Sequence, residues 1–395
     1  MTYTRAIVGE LTSALRDHAQ VIHVLIGPRQ VGKTTAAEQV VERLGLPVHF
    51  AAADLPLPPG PEWIETQWQI AEAKSREVGG PVLLVLDEVQ KVPGWSEVVK
   101  GLWDARRRSK VSVNLLILGS SALLLQHGLS ESMAGRFFLH RCSHWTWPEC
   151  KAAFGWDLDA WLYYGGYPGG APFAGNEALW RRYVADSLID TVLSRDIFQL
   201  QRVAKPALMR NLFGFAVAVP AQFVSYNKML GQLQEAGNTT TLAHYLQLLS
   251  TAFLATGLEL FSAGQRRKRG SSPKIVIQNN ALINAYSGLS ARASAADPAW
   301  RGRLVENAVG AHLINHLPSP EWSVTYWRHG DYEVDYIVQR GREVFALEVK
   351  SGRPGRLAGI GAFRQAHKKA RALIIGSGGI PLEDFFAHPP EHWLA

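Results

Sequence analysis

One stretch of the sequence combines residue types and a spacing that could do chemistry. Residues 27–34, GPRQVGKT, fit the pattern G-x-x-x-x-G-K-[ST], with an apolar segment at 21–26 before it and a helical pattern at 34–44 after it. Such glycines let backbone N–H groups point at phosphate oxygens, and the following helix adds its positive end. A glycine turn with a solvated lysine is the alternative, but both flanking elements favour phosphate binding.

Specific roles follow for the residues of this loop. Lys33 is predicted to reach the terminal phosphates of a nucleotide, and the Thr34 hydroxyl is predicted to coordinate Mg²⁺. The predicted nucleotide-contacting residues are Gly27, Pro28, Arg29, Gln30, Val31, Gly32, Lys33, Thr34 and Thr35.

Two adjacent carboxylates end the next long apolar run. Residues 81–90, PVLLVLDEVQ, are continuously apolar up to Asp87 and Glu88, which is typical of a parallel strand buried on both faces. The carboxyl ends of such strands meet where open α/β sheets bind ligands. Asp87 is predicted to hold Mg²⁺ through water, and Glu88 to polarise the water that attacks the γ-phosphate. A solvated acidic turn is the alternative, which the loop upstream disfavours.

The elements that must position these groups alternate between helical and apolar patterns. Helices are predicted at residues 5–18, 63–78 and 95–107, strands at 48–51 and 113–118, and a returning strand within 132–141. This order predicts an α/β fold with the parallel sheet of a P-loop NTPase. Ser120, which follows the strand at 113–118, is predicted to sense the γ-phosphate and orient the water.

Several motifs, in this order, resemble one family: GPRQVGKTT, LVLDEVQ, LILGSS, AGRFF and YYGGYP. They are similar to the AAA+-type ATPases of bacteria and archaea whose C-terminal half is a domain of unknown function. The resemblance implies ATP and Mg²⁺ as cofactors, ATP hydrolysis, and assembly into a homo-oligomeric ring, with a hexamer expected. It also makes Arg136 the candidate for completing a neighbouring subunit's ATP site. A surface strand residue is the alternative for Arg136.

The middle of the chain has the outline of a helix-turn-helix. Helices are predicted at residues 224–233 and 239–256, and strand-like segments, LELFSA and PKIVIQ, flank a basic segment at 258–274 that ends in Lys274. This order predicts a winged helix, an element that the resembled family also has here. Its wing would contact the DNA backbone. A packing helix pair with a solvated loop, and a winged helix that binds protein, remain open. The predicted DNA-contacting residues are Arg266, Arg267, Lys268 and Arg269.

The C-terminal region resembles the PD-(D/E)xK nuclease fold. Its predicted order is a helix at 301–315, strands at 324–328, 333–339 and 343–350, a helix at 357–369 and a strand at 372–375. Alternation along the third strand puts Glu348 and Lys350 on one face. Glu306, Asp335 and Glu348 are predicted to hold one or two Mg²⁺ ions, with Lys350 steadying the attacking water. A retained scaffold without chemistry is the alternative.

Composition limits the remaining possibilities. A formal charge of +7 and a pI near 9.4 favour an acidic partner, most commonly nucleic acid. We expect a cytoplasmic protein without a membrane partner. The sequence has two cysteines, lacks the apolar core of a signal peptide, and has no apolar run near the ~20 residues that span a bilayer. Zinc is disfavoured because no common zinc module fits the spacing of His140, Cys142, His144 and Cys150.

Together these features predict an ATPase core at 1–150, a helical and winged-helix domain at 151–285, and a nuclease-like domain at 286–395. The predicted function is an ATP-hydrolysing AAA+ protein that binds DNA, including branched DNA, and remodels or moves along it. The alternatives are an ATP-gated, metal-dependent endonuclease of a defence or restriction type, and a signalling switch that binds protein.

Overall fold

The computed structural model describes residues 3–106, 111–119, 133–197, 205–233, 237–262, 272–352 and 357–395. The chain forms two compact units, Met1–Ser143 and His144–Ala395. The division into three domains stays a prediction. Ser120 and the basic run from Arg266 to Arg269 lie outside the described residues. Within the described ranges, no helix is long and apolar enough to cross a membrane.

The first unit is built on a five-stranded parallel sheet with the order β2-β3-β4-β1-β5. Every residue of β1, β3 and β4 is buried, because these strands lie inside the sheet, which explains their continuous apolar runs. The predicted parallel α/β sheet is therefore confirmed. The strands are β1 (Ile22–Ile26), β2 (Val48–Ala52), β3 (Val82–Asp87), β4 (Val113–Gly119) and β5 (Phe137–Arg141).

Among the described residues of the first unit, four α-helices connect or precede these strands. They are α1 (Ala6–Asp17), α2 (Lys33–Leu44), α3 (Glu62–Val78) and α4 (Trp95–Arg106). The glycine-rich loop lies between β1 and α2, so it leaves the sheet at its carboxyl edge. Asp87 ends β3 at the same edge. The fold thus places the loop and the carboxylates on one side of the sheet, as open α/β sheets require for ligand binding.

The second unit begins with helices and ends with a mixed sheet. Two π-helical stretches, Tyr183–Asp190 and Val192–Asp196, continue α7. The α-helices are α5 (Trp147–Phe154), α6 (Leu158–Tyr164), α7 (Glu177–Arg182), α8 (Pro206–Ala218), α9 (Tyr226–Gln232), α10 (Thr239–Thr251), α11 (Asn280–Ser287), α12 (Ala291–Ala296), α13 (Pro298–His316), α14 (Ala358–Ala366) and α15 (Leu382–Ala387).

The strands of this unit form two sheets. An antiparallel pair consists of β6 (Ala255–Leu258) and β7 (Lys274–Ile277). The larger sheet, with the order β11-β10-β9-β8, contains β8 (Trp322–His329), β9 (Tyr332–Arg340), β10 (Glu343–Lys350) and β11 (Arg371–Gly376). Its strands are antiparallel except for the parallel pair of β10 and β11. The order α13, β8, β9, β10, α14, β11 confirms the predicted sequence of elements.

Two details of the sequence prediction were wrong here. The helix predicted at 239–256 ends at Thr251, and β6 begins at Ala255. The apolar pattern continues through both elements, so periodicity alone does not separate them. Lys274 was predicted both to end the basic segment and to lie in the strand-like PKIVIQ; it is the first residue of β7 and is fully buried, so it belongs to the strand and not to the wing.

Candidate functional site

The ammonium group of Lys33 lies inside the glycine-rich loop. Lys33 begins α2, and its Nζ donates hydrogen bonds to the carbonyl oxygens of Gly27 at 3.1 Å and Pro28 at 2.7 Å. Burial is the main cause that lowers the pKa of Lys33, while Cys142, Glu88 and Asp87 act in the opposite direction. The loop therefore holds a preorganised cation where its backbone curls.

The loop has the curled backbone that phosphate binding requires. Gly32 precedes α2 with a φ of +87°, in the left-handed region that glycine adopts without strain. Gln30 also has a positive φ, of 62°. The turn places Lys33 and Thr34 in the first turn of α2, at the positive end of the helix dipole.

Thr34 and Asp87 come together although they are 53 residues apart in the sequence. The Thr34 hydroxyl donates a hydrogen bond of 2.9 Å to Oδ2 of Asp87. Magnesium bound with a nucleotide takes one or two carboxylates, hydroxyl oxygen, water and phosphate oxygens. The two side chains therefore fit the predicted Mg²⁺ of a nucleotide complex.

Glu88 follows β3 in an uncommon backbone conformation. Its φ and ψ are 53° and 32°, in the left-handed region that costs a residue with a Cβ about 1 kcal/mol or more. Its backbone N–H donates to the carbonyl oxygen of Leu118, and Gln90 Nε2 donates to its Oε2 at 2.8 Å. The carboxylate is thus held at the edge of the sheet from which the loop leaves, and its role in positioning water stays a prediction.

Gly27 lies against the segment that follows β5. A Cβ on this residue would lie 2.0 Å from the carbonyl oxygen of Cys142, whose N–H donates to Ile26 at 2.7 Å. Because the neighbour is backbone held in the sheet, it cannot move aside cheaply. Only glycine fits here without displacing the loop.

Replacing Gly27 with alanine is expected to lower the free energy of unfolding by about 3 kcal/mol, through overpacking against this backbone. Urea denaturation measures the loss. Gly9→Ala is the matched control, because a Cβ there has nothing within 4 Å and α1 gains a better helix former. Equal stability of the two variants would contradict the close approach at Gly27.

Arg5 is a residue of this site that sequence reasoning missed. It precedes α1, is only 7% exposed, and its Nη1 donates to the carbonyl oxygens of Val31 at 3.3 Å and Ser143 at 3.0 Å. The same nitrogen lies 3.1 Å from Sγ of Cys142. Arg5 thus links the glycine-rich loop to the end of β5. An arginine before an amphipathic helix gives no sequence signal for this role.

Arg136 lies at the opposite edge of the sheet from the loop. The residue after it, Phe137, pairs with Ile22 at the start of β1, whereas the loop follows the end of β1. Arg136 Nε and Nη2 each donate to the carboxylate of Asp104 at 2.9 Å. The structure does not bring Arg136 to the nucleotide site of its own chain, and its role in a neighbour's site stays a prediction.

A buried histidine pair joins β1 to β5. His23 Nε2 lies 3.0 Å from the carbonyl oxygen of His18, so this nitrogen carries the proton, and His140 Nε2 donates to His23 Nδ1 at 3.0 Å. Burial is the main cause that lowers the pKa of both histidines, to about 4 for His140. The pair is therefore neutral near pH 7.

The lowered pKa of His140 predicts acid sensitivity. In the unfolded chain its pKa returns to 6.5, so the neutral histidine stabilises the fold above that pH. This contribution, up to about 3 kcal/mol, is lost as the pH falls toward 4. Urea denaturation at several pH values between 6.5 and about 4 measures the free energy of unfolding. As the pH falls, this free energy is expected to decrease more steeply for wild type than for His140→Gln. Parallel losses would contradict the assignment.

An acidic cluster lies in the second unit, where α13, β9 and β10 contribute Glu306, Asp335 and Glu348. Burial is the main cause that raises the pKa of Glu306 to about 7 and the pKa of Glu348, and the nearby Asp335 adds to both. Glu348 Oε1 accepts a hydrogen bond from Lys350 Nζ at 2.7 Å. The structure therefore brings together the four residues predicted from the sequence.

The cluster differs from the predicted magnesium site in one residue that the sequence prediction placed elsewhere. Lys274 Nζ lies 2.5 Å from Oε1 of Glu306 and 3.5 Å from Oδ1 of Asp335. In the part of the chain that the structure describes, no group of three or more His, Cys, Asp or Glu side chains is placed to hold a metal ion. The arrangement around Glu306, Asp335 and Glu348 does not fit Mg²⁺.

The parallel sheet, the glycine-rich loop and the contact between Thr34 and Asp87 define a P-loop nucleoside triphosphatase. Residues 19–150 match the family model described as an AAA domain, which supports an AAA-type ATPase for this part of the chain. Residues 155–293 and 301–383 match two families described as Domain of unknown function (DUF8612) and Domain of unknown function (DUF4143). The resemblance inferred from the motifs is confirmed at this level.

Similar proteins cover most of the chain. An uncharacterized protein of Mycobacterium tuberculosis (strain ATCC 25618 / H37Rv) is 29% identical over 341 residues, 84% of this chain and 71% of that protein. An uncharacterized protein of Haemophilus influenzae is 24% identical over 309 residues, 73% of this chain and 72% of that protein. A Walker-type ATPase of Pyrococcus abyssi has a TM-score of 0.52 at 14% identity, over 72% of this chain and 96% of that one, which establishes the fold alone.

Proposed function

We propose that the protein hydrolyses ATP with Mg²⁺ and uses the energy to remodel, move along or clamp DNA. One observation carries the ATP part: Lys33, Thr34 and Asp87 converge at the edge of the sheet where the loop curls. A glycine turn without a ligand would not need a buried ammonium group beside a hydroxyl–carboxylate contact.

Each residue of the site has one task in this proposal. Lys33 exchanges the carbonyl oxygens of Gly27 and Pro28 for the terminal phosphates of ATP. Thr34 and Asp87 hold Mg²⁺, which when bound neutralises phosphate charge. Glu88 orients and deprotonates the attacking water.

The DNA part of the proposal is supported by charge and by the order of elements after α8. Two helices, α9 and α10, are followed by the antiparallel strands β6 and β7, as in a winged helix. In the sequence, Arg266 to Arg269 lie between these strands, in a chain with a formal charge of +7. A basic connection of this kind would neutralise phosphates of the DNA backbone.

A homo-oligomeric ring is part of the same proposal. Arg136 lies at the sheet edge away from its own loop, so it could reach a nucleotide only on a neighbouring subunit. Its ion pair with Asp104 would have to open for that contact. An arginine supplied between subunits would make hydrolysis depend on assembly.

The test is steady-state ATP hydrolysis with and without duplex or branched DNA. DNA is expected to stimulate turnover, and raising the salt from 50 to about 200 mM is expected to remove most of the stimulation. The matched variant carries alanine at all four positions from Arg266 to Arg269, and should keep basal turnover but lose stimulation. Equal rates with and without DNA would contradict the proposed action on DNA, but not the proposed ATP hydrolysis.

A second candidate is an ATP-gated, metal-dependent DNA endonuclease. The observation in its favour is that Glu306, Asp335, Glu348 and Lys350 converge in the second unit. Incubation of wild type and Asp335→Ala with plasmid, Mg²⁺ and ATP separates the candidates. Because the cluster does not fit Mg²⁺, we expect intact plasmid with both proteins, and cleavage by wild type alone would favour the endonuclease.

A further inference from the structure

A buried ammonium group lies among the carboxylates of the acidic cluster. Lys274 is 0% exposed, and its Nζ contacts Glu306 Oε1 at 2.5 Å, Asp335 Oδ1 at 3.5 Å and the Asp335 carbonyl oxygen at 3.1 Å. We propose that Lys274 replaces a divalent metal ion here, so that the acidic cluster of this chain is a lysine-neutralised, metal-free site that does not cleave DNA. Loss of Lys274 would convert it into a metal site.

Four of the six carboxylate oxygens that a metal could use already have other partners. Glu306 Oε1 and Asp335 Oδ1 face Lys274, Asp335 Oδ2 accepts from the Val349 N–H at 2.8 Å, and Glu348 Oε1 accepts from Lys350. Magnesium requires near-octahedral oxygens at about 2.0–2.1 Å, and an ammonium bound to the same carboxylates would repel it. Lysine and metal therefore exclude each other.

One carboxylate oxygen of the cluster has no hydrogen-bond partner among the described residues and could contact a cation. Glu348 is 8% exposed, and its Oε2 is buried with no hydrogen-bond partner among the described residues. Three carboxylates face two ammonium groups, those of Lys274 and Lys350, when all are charged. Removing Lys274 would leave Glu306 and Asp335 without their ammonium partner, and because unpaired buried charge is costly, a divalent cation in its place would be favoured.

Hydrogen bonds of β7 and β9 to α13 fix the position of Lys274 in the fold. Asn307 of α13 accepts from the Ile277 N–H and donates to the Ile277 carbonyl oxygen, both at 2.8 Å, which fixes β7 against the helix that carries Glu306. The Tyr336 hydroxyl donates to the Glu306 carbonyl oxygen at 2.7 Å and ties β9 to the same helix.

Aromatic rings complete the site of the ammonium. Lys274 Nζ lies 4.5 Å from the ring centroid of Tyr336 and 5.1 Å from that of Phe223. Both distances suit cation–π attraction, which strengthens away from water. The carboxylates of Glu306 and Asp335 lie against the ammonium and compensate a charge that burial alone would disfavour.

The experiment measures Mn²⁺ binding by electron paramagnetic resonance on the full-length, nucleotide-free protein. Wild type is expected to bind no Mn²⁺ at the acidic cluster, so Glu306→Gln should not reduce the amount of Mn²⁺ bound. Lys274→Met, which keeps the length and removes the charge, is expected to gain one Mn²⁺ per chain. Saturating Mn²⁺ should raise its melting temperature by about 5 °C and leave that of wild type unchanged.

Lys350→Met is the matched control, because it removes the other lysine of the cluster and leaves Lys274 in place. It should gain no Mn²⁺, and Lys274→Met combined with Glu306→Gln should lose the ion again. Mn²⁺ bound by wild type and lost in Glu306→Gln would overturn the proposal, as would a folded Lys274→Met that binds none. If Lys274→Met does not fold, the comparison of wild type with Glu306→Gln still decides between the two results.

Discussion

Replacing Lys33 with alanine is expected to weaken ATP binding at least about 100-fold and to abolish detectable turnover. The side chain is 8% exposed and its ammonium is fixed by two loop carbonyl oxygens, so the fold delivers this charge to the place where phosphates would bind. Equilibrium binding of radiolabelled ATP and the rate of phosphate release measure the two effects.

Lys100→Ala is the control for this prediction. Lys100 is a half-buried residue of α4 that pairs with Glu97 at 3.6 Å, so its loss changes net charge equally without touching the loop. It should keep the affinity and the turnover of wild type. Circular dichroism should give the same helix content for both variants. An unchanged turnover in a folded Lys33→Ala would mean that Lys33 does not act on the phosphates of ATP.

Replacing Glu88 with glutamine is expected to separate ATP binding from hydrolysis. The amide keeps the shape of the side chain and can keep the contact with Gln90, but it cannot take a proton from water. Turnover should fall by a factor of about 10²–10⁴, the usual contribution of a general base. The affinity for ATP should stay within about threefold of wild type, because Glu88 contacts neither the phosphates nor Mg²⁺ in this account.

Pre-steady-state hydrolysis and ATP binding, measured on the same sample, test this separation. Glu97→Gln, at an exposed position of α4, is the control and should behave as wild type. Loss of ATP binding in Glu88→Gln would mean that the residue shapes the loop and does not act on water. An unchanged turnover would assign the water-positioning role to another residue.

The nucleotide site was predictable from sequence because its constraints are local. The spacing from Gly27 to Thr34 fixes a loop, and the run before Asp87 fixes a buried strand. The contact of Thr34 with Asp87 then follows from the parallel sheet. Arg5 was not predictable, because its contacts with Val31 and Ser143 depend on how α1 packs and leave no spacing in the sequence.

The second unit shows where charge patterns mislead. Lys274 ends the basic segment and also lies in the strand-like PKIVIQ, and because fully buried lysines are rare, nothing in the sequence indicates its burial. Its burial is explained by a partner more than 30 residues away, Glu306 on α13. The order of helices and strands was predictable from hydrophobic patterns, but which charges meet across them depends on tertiary packing.

Metal-dependent ATP hydrolysis is tested most directly by the release of labelled phosphate from γ-³²P-ATP by the purified protein, with Mg²⁺ and again with excess EDTA. Wild type is expected to release phosphate with Mg²⁺ and none with EDTA. Phosphate release at the same rate with EDTA, or no release by a folded wild-type protein with Mg²⁺ and DNA, would contradict it.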